Sequence, residues 1–391
     1  MKILFVTDMV YSESDPNLNL IKSMLPFFEK DNEVYFMGYE FEETQKSEFS
    51  FTYLRDYKVL ELYMDMNGCP LWKKLLKAAM HPVRSMWAVF KLVNIDLITL
   101  EYRKLLRKLD KKYRFDAVVS ISAPFYTSKA LAAQKISGRK YIMMFDPYGQ
   151  HYEFGNWRTR LMEKRAFAKM DGILMPKLLK KHYPDPKIRS YEFPAVVPIN
   201  PEITEPLYDP AKINLAFVGS LYADIRSPEY LYELLKTLGD DRYHLTIVGG
   251  TYGVFPREFH EKYSDFINEH VTVVGKVAKE KALQYLWQAD VLVNIGNRIE
   301  NMLPSKVLEY ISTGKPVLNI AQLENCPSLP YFEKYGNAMS IYSGKPATDE
   351  QLQQLRRFLE ERSTVPEEKI RKDFHDATPE YVAKQLIEMV K

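Results

Sequence analysis

The segment Asn301–Asn319, NMLPSKVLEYISTGKPVLN, combines the signals that predict the fold of this chain. Pro304 and Ser305 mark a loop that leads into a helix. Apolar residues then recur at helical spacing: Val307, Leu308 and Ile311. Gly314 is typical of a residue that ends a helix, and the apolar run after Pro316 predicts a buried strand. A loop, a helix and a buried strand in this order indicate an α/β protein with a parallel sheet.

The same alternation extends in both directions along the chain. Strand patterns in the first half are KILFVTDM, NEVYFMGY, KVLELYMDM, DAVVSIS, KYIMMFD and DGILMP. Those in the second half are INLAFVGS, YHLTIVGG, VTVVGK, DVLVNIG and KPVLNI. A proline-rich stretch without periodicity, residues 193–212, separates the two series and predicts a linker. The sequence therefore predicts two doubly wound, Rossmann-like α/β domains over residues 1–198 and 199–370, followed by a terminal helical segment over 371–391.

Composition excludes several classes of protein. The 391 residues include 54 Lys and Arg against 51 Asp and Glu, a net charge of +3, which argues against a uniformly basic nucleic-acid coat. The two cysteines, Cys69 and Cys326, form no zinc-binding pattern and fit a reducing cytosol. The first ten residues predict a strand rather than a signal peptide, because Asp8 interrupts the apolar run. No stretch is apolar enough over sufficient length to predict a membrane-spanning helix.

The predicted helix after Ser305 carries two charged residues near its start. Lys306 would add a full charge to the partial positive charge of a helix N-terminus, where a phosphate group could bind. The carboxylate of Glu309 could accept two hydrogen bonds from a ribose diol. An ordinary solvated helix residue fits Glu309 equally well.

Three segments carry a resemblance: LPSKVLEYISTGKPVL, KALQYLWQADVLVNIG and AFVGSLYADIRSPEYLYELLKTL. In order and spacing they resemble the donor half of GT-B glycosyltransferases that use nucleotide sugars, especially those of bacterial surface polysaccharide synthesis. The resemblance covers residues 213–320, and it extends more weakly through SAPFYTSKALAAQK, KYIMMFDPYG and EKRAFAKMDGILMP. It implies two domains that face a central cleft, and a C-terminal helix that returns to the N-terminal domain.

The resemblance also implies a donor site made of Gly219, Ser220, Arg226, Asn301, Leu303, Pro304, Ser305, Lys306 and Glu309. From the residues themselves, Gly249 and Gly250, which close the YHLTIVGG strand, could let the backbone approach the nucleotide, or they could form a plain turn that ends the strand. Glu309 would bind the ribose hydroxyls, and Lys306 and Arg226 would bind the diphosphate. Two positions depart from the family pattern. Asn301 stands where many relatives have a glutamate, and Ser220 stands where relatives often have a basic residue. No Asp-x-Asp cluster follows a predicted strand, so we expect metal-independent transfer, without a cofactor, in which cations stabilise the leaving diphosphate.

Asp146 and His151, in MMFDPYGQHYEF, are the candidate catalytic residues of the N-terminal half. They follow a predicted strand, so a carboxylate or imidazole there could accept the proton of an acceptor hydroxyl. The alternative is structural, with Asp146 capping the turn at Pro147 and His151 on the surface.

A locally basic region extends from Trp72 to Arg114. It contains twelve Lys and Arg residues against three acidic ones, a local charge of +9, with aromatic and leucine side chains between them. This pattern predicts amphipathic helices that lie on an anionic membrane surface. A solvated helix face or a nucleic-acid patch are the alternatives.

Taken together, these patterns predict a cytoplasmic glycosyltransferase, peripheral on the inner face of the membrane. It would move a sugar from a nucleoside diphosphate donor to a hydroxyl of a glycan acceptor that is attached to lipid, without nucleic acid as a partner. Two alternatives stay open: a nucleotide-sugar 2-epimerase and a non-catalytic GT-B subunit that binds a partner transferase.

Overall fold

The fold is that of a computed structural model, which describes residues 1–9, 16–39, 97–122, 125–151, 155–197, 200–255, 257–304 and 306–391. The predicted strand KVLELYMDM, the part of the basic region from Trp72 to Asp96, and Ser305 lie outside the described residues.

The chain forms two compact units, and the first comprises Met1–Glu192 together with Pro379–Lys391. Its strands are β1 Lys2–Met9, β2 Glu33–Tyr39, β3 Ala117–Ser122, β4 Arg139–Met144, β5 Gly172–Pro176 and β6 Ile188–Tyr191. They form one parallel sheet in the order β2-β1-β3-β4-β5-β6. The helices that follow these strands are α1 Pro16–Phe28, α2 Leu97–Tyr113, α3 Tyr126–Ala132, α4 Trp157–Phe167 and α5 Lys177–Lys180. Every residue of β3 and β5 is buried, as a parallel sheet covered on both faces requires.

The second unit is Phe193–Thr378. Its strands are β7 Ile213–Val218, β8 Leu221–Tyr222, β9 Tyr243–Val248, β10 Thr251–Tyr252, β11 Val271–Gly275, β12 Val291–Ile295, β13 Val317–Ala321 and β14 Ala338–Tyr342. Six of them form a parallel sheet in the order β11-β9-β7-β12-β13-β14, and β8 pairs with β10. The helices are α6 Glu229–Leu238, α7 Arg257–His270, α8 Lys279–Gln288, α9 Lys306–Ser312, α10 Leu329–Tyr335, α11 Asp349–Glu361 and α12 Glu367–Asp373, followed by a 3₁₀ turn, His375–Ala377.

Both faces of this second sheet are covered by hydrophobic core. Leu215 and Phe217 pack into one buried cluster, and the alternating residues Ala216 and Val218 pack into another. Successive side chains of a strand point to opposite faces, so the two clusters lie on opposite sides of the sheet. The predicted pair of doubly wound α/β domains is confirmed.

The C-terminal helix α13, Pro379–Val390, packs in the first unit against α1 and β6. Leu386 and Val390 line a small cavity with Phe5, and the Tyr141 hydroxyl donates to the carbonyl oxygen of Val390 at 3.4 Å. The predicted return of this helix to the N-terminal domain is confirmed.

The unit boundaries differ from the sequence-based boundaries at 198 and 370. Residues 193–197 and 371–378 belong to the second unit. The backbone N–H of Val196 donates to the carbonyl oxygen of Ala377 at 3.1 Å, and both residues lie in one buried cluster with Phe374. The terminal helix consequently begins at Pro379 rather than at 371.

Among the residues that the structure describes, no helix has the length and apolar character needed to cross a lipid bilayer.

Candidate functional site

The carboxyl ends of β7 and β9 approach each other backbone to backbone. Gly249 has φ +134°, and a Cβ atom there would lie 1.9 Å from the carbonyl oxygen of Gly219. The N–H of Gly219 donates to the carbonyl oxygen of Val248 at 2.8 Å. A Cβ at Gly250 would meet the side chain of Tyr252 instead of backbone. Of the two glycines at the end of this strand, the strict requirement for glycine therefore falls on Gly249 rather than on Gly250.

Arg226 lies at the same sheet edge and has neutral partners. Its Nε and Nη2 donate to Oδ1 of Asn297 at 3.1 and 2.6 Å, and its Nη1 donates to the carbonyl oxygen of Ser220 at 3.1 Å. Burial lowers the pKa of the guanidinium, and no carboxylate pairs with it in the described part of the chain. A half-buried cation without a counter-charge favours binding of an anion. The structure thus brings Gly219, Ser220 and Arg226 together, with Ser220 acting through its carbonyl group.

Asn297 belongs to this site, and the sequence analysis missed it. The residue follows β12, is 2% exposed, and accepts both hydrogen bonds from Arg226 described above. Its Nδ2 donates to the carbonyl oxygen of Met302 at 3.1 Å, which ties Arg226 to the loop before α9. The sequence contains one signal for Asn297: its amide follows the apolar run of a predicted parallel strand, and ligands bind at that edge of such sheets.

Lys306 and Glu309 form an ion pair on α9. The Lys306 Nζ lies 2.6 Å from Oε2 of Glu309, and their side chains are 33% and 21% exposed. The two predicted donor ligands therefore neutralise each other in this structure. The helix has only seven residues, so the charge at this position comes from side chains rather than from the helix N-terminus.

Tyr310 connects α9 to the end of β7. Its hydroxyl donates to the carbonyl oxygen of Val218 at 3.0 Å and accepts from the N–H of the same residue at 2.9 Å. This buried contact fixes α9 against the end of β7, the strand that Gly219 follows.

The remaining predicted donor residues belong to the loop before α9. Leu303 packs against the core, Pro304 is buried and accepts from the N–H of Val307 at 3.1 Å, and Asn301 is half-buried. The loop is thus seated on the hydrophobic core of the second unit.

Asp146, in the first unit, follows β4 as predicted. Burial raises the pKa of its carboxyl to about 6. No hydrogen bond to the carboxylate is found among the described residues, so the alternative of a capped turn is not observed. A carboxylate whose pKa lies close to neutrality can accept a proton in a reaction.

His151 is separate from Asp146 in its contacts. Its backbone N–H donates to the carbonyl oxygen of Tyr148 at 3.3 Å, and its carbonyl oxygen accepts from Gly155 at 2.8 Å. No hydrogen bond links Asp146 to His151 within the described ranges. The structure does not assemble the two predicted catalytic residues into a hydrogen-bonded pair.

Glu163 is a second residue that the sequence analysis missed. It is 4% exposed and accepts hydrogen bonds from the N–H of Gly149 at 3.0 Å and the hydroxyl of Tyr183 at 3.1 Å, while burial raises the pKa of its carboxyl. The ring of Tyr148 stacks on Phe125 with centroids 4.1 Å apart. These contacts hold the loop that carries Asp146. The only sequence signal was an acidic residue on the buried face of a helix.

Comparison with known proteins supports the assignment of the fold. Residues 212–328 match the family model described as "Glycosyl transferases group 1". None of the curated proteins compared with the chain matches it at a significant level.

Solved structures match over nearly the whole chain. The apo lipopolysaccharide outer core galactosyltransferase WaaB is 13% identical, with TM-score 0.60 and coverage of 100% of this chain and 99% of that chain. A TarM mutant of S. aureus in complex with Fondaparinux, alpha-GlcNAc-glycerol and UDP is 10% identical, with TM-score 0.63 and complete coverage of both chains. A putative UDP-N-acetylglucosamine 2-epimerase from Listeria monocytogenes is 11% identical, with TM-score 0.56 and coverage of 99% and 94%. The predicted GT-B fold is confirmed.

Proposed function

We propose that this chain, whose residues 212–328 form a glycosyl transferases group 1 domain within a GT-B fold, moves a sugar from a nucleoside diphosphate sugar to a hydroxyl of a growing glycan. The observation that carries the proposal is Arg226, a half-buried guanidinium with neutral partners at the ligand-binding edge of that domain. A diphosphate supplies the charge that its surroundings lack, and charge-assisted hydrogen bonds to phosphate are strong.

In the proposed reaction, the acceptor oxygen forms a bond to the anomeric carbon of the donor sugar. The bond from that carbon to the diphosphate breaks, and its electron pair leaves with the diphosphate. Arg226 stabilises the negative charge that develops, because a preorganised donor in a buried site needs little reorganisation. Lys306 contributes a second positive charge when Glu309 turns to the ribose hydroxyls. We assign this role to side-chain cations because no Asp-x-Asp cluster follows a predicted strand.

Asp146 is our candidate for the group that accepts the proton of the acceptor hydroxyl. Its pKa of about 6 leaves it ionised at neutral pH and still basic enough to take a proton during the reaction.

The exposed face of α2 supports a proposed position on an anionic membrane. From residue 103 to 114, the exposed charged side chains of α2 and of Arg114, the residue after it, are all basic: Lys104, Arg107, Lys108, Lys111, Lys112 and Arg114. Asp110, the acidic residue of this segment, is buried and accepts from the N–H of Ser137 at 2.8 Å and its hydroxyl at 3.1 Å. A surface of this charge fits an acceptor that is linked to a membrane lipid.

Incubation with labelled nucleotide sugars, with and without a lipid-linked glycan acceptor, tests the proposal. Transfer of label to the acceptor supports it. Isomerised donor would indicate an epimerase, which has the same fold in the Listeria monocytogenes structure. Binding without any turnover would indicate a non-catalytic subunit. A thermal-shift screen with UDP, GDP, dTDP and CMP identifies the nucleotide first, since a ligand at 100 times its Kd stabilises by about 2.7 kcal/mol.

A further inference from the structure

Two tyrosines form an exposed stack at the sheet edge that carries Arg226. The rings of Tyr222 and Tyr252 are nearly parallel at 13°, with centroids 5.0 Å apart, and the residues are 41% and 46% exposed. Both belong to the short pair β8 and β10, where they stand opposite each other. Leu221, the preceding residue, is buried in the core cluster below. Because strand side chains alternate, the two rings face away from that core.

A cation stands at one end of this stack. The Nζ of Lys276, which follows β11, lies 5.0 Å from the centroid of the Tyr252 ring. The hydroxyl of Tyr252 raises the pKa of Lys276. A cation near the face of an aromatic ring is attracted by its quadrupole, so Lys276 helps to hold the ring in place.

The order of the strands places the other end of the stack beside Arg226. Strands β11, β9, β7 and β12 are neighbours in that order, so Lys276, Tyr252 and Tyr222 follow one another towards β12. The N–H of Arg226 donates to the carbonyl oxygen of Tyr222 at 2.7 Å. Apart from Tyr252, no ring or cation pairs with the Tyr222 ring in the part of the chain that is described. The ring therefore offers a free face, and the same residue is joined through its backbone to Arg226.

We propose that this free face of Tyr222, supported by Tyr252 and Lys276, is the surface on which the nucleobase of the donor stacks. The inference rests on the proposed function, because it takes the diphosphate at Arg226 as the neighbouring group of the same ligand. Stacking of a base on an aromatic side chain tolerates any base, because every base has a π face. The surface would thus contribute affinity for a nucleotide and leave the choice of base to polar contacts.

Calorimetric titration with UDP, GDP, dTDP and inorganic pyrophosphate tests the proposal on the full chain. For the nucleotide that the wild type binds, Tyr222→Ala should raise Kd roughly 5- to 150-fold, the range seen when a stacking aromatic is removed. Its Kd for pyrophosphate should stay unchanged, because pyrophosphate has no base. Tyr222→Phe keeps the stacking face and should bind the nucleotide almost as the wild type does. Ile203→Ala, at an exposed apolar residue of the same unit, is the matched control and should change neither affinity.

Each contrary outcome has a separate meaning. If Tyr222→Ala binds the nucleotide as tightly as the wild type, the stacking surface is wrong and the proposed function stands. An equal loss of affinity for nucleotide and pyrophosphate also overturns the stacking role, because it would show damage to the diphosphate site. If the wild type binds none of UDP, GDP and dTDP, the proposed function itself fails, and this inference fails with it.

Discussion

The contacts of single side chains separate the residues of the proposed donor site by role. Arg226 is fixed by Asn297 and by the carbonyl group of Ser220, and it keeps an uncompensated charge. Lys306 and Glu309 differ from Arg226, because both side chains are partly exposed and their charges are paired with each other. For the proposed function, Arg226 would bind the anion without changing its partners, whereas Lys306 and Glu309 would have to separate from each other first.

The ion pair predicts non-additive effects on nucleotide binding. Lys306→Ala removes a cation and leaves the Glu309 carboxylate unpaired beside the diphosphate, so this variant should bind a nucleoside diphosphate more weakly than Glu309→Gln does. In the double variant the repulsive carboxylate is absent, and the loss should be smaller than the sum of the single losses. Interaction energies of about 0.5–3 kcal/mol are usual for such neighbours. Calorimetric Kd values for the four proteins measure this directly, and strictly additive losses would show that the two residues act independently.

Asp146 predicts a pH dependence of stability. Its pKa is raised from 3.8 to about 6 in the folded protein, so between these values the folded state binds more protons than the unfolded state. The stability that this group contributes is present at low pH and is lost as pH rises through about 6. Relative to Asp146→Asn, the wild type should therefore become less stable from pH 4 to pH 7.

Urea unfolding of both proteins at several pH values provides the measurement. A stability difference that does not change over this range would contradict the raised pKa. Glu163 is unchanged in both proteins and serves as the internal control for other buried carboxyls.

The strands and helices could be predicted from the sequence more completely than the contacts of the candidate site. The apolar runs that predicted β1, β3, β7 and β12 are buried strands, because parallel strands covered on both faces need near-continuous apolar sequence. The site depends on contacts between distant loops, such as that of Arg226 with Asn297. No local periodicity reports such a contact, and the resemblance identified Arg226 without identifying the amide that holds it. Glu163 was missed for the same reason, since its partners Gly149 and Tyr183 lie in other segments.

The glycine pair after β9 gives a test at the scale of elements. Gly249 has a positive φ, and Gly249→Ala places a Cβ against the backbone of Gly219. We therefore expect the free energy of unfolding to fall by about 1–3 kcal/mol or more. Gly250→Ala meets a side chain that can move, so its loss should be clearly smaller. Thermal melting of the two variants under one condition compares them. Equal melting temperatures would contradict the close packing of β7 and β9.

The whole molecule consists of two units whose boundaries are set by burial rather than by composition. The second unit begins at Phe193, where the proline-rich stretch also begins. Val196, within that stretch, belongs to the core of the second unit and is hydrogen-bonded to Ala377. Local composition could not reveal this contact, because its two partners are far apart in sequence.

The basic face of α2 predicts binding of the whole chain to anionic vesicles. Each Lys or Arg near an anionic surface contributes about 1 kcal/mol, so changing Lys104, Arg107, Lys108 and Lys111 to Gln should release most of the protein. A matched variant with Lys236, Lys279, Arg357 and Lys372 changed to Gln loses the same charge from exposed positions of the other unit. Sedimentation with phosphatidylserine vesicles compares both with the wild type. Equal release by the two variants would indicate a general charge effect instead of a membrane-binding face.

Steady-state transfer of labelled sugar by the wild type and Arg226→Ala tests the donor site most directly. The acceptor is the lipid-linked glycan, and the donor is the nucleotide sugar identified by the thermal-shift screen. We predict measurable transfer by the wild type and a kcat about 10²- to 10³-fold lower for Arg226→Ala, with a smaller change in donor affinity and an unchanged circular dichroism spectrum. No transfer from any donor by the wild type, or a kcat for Arg226→Ala close to that of the wild type, would contradict a diphosphate-leaving reaction at this site.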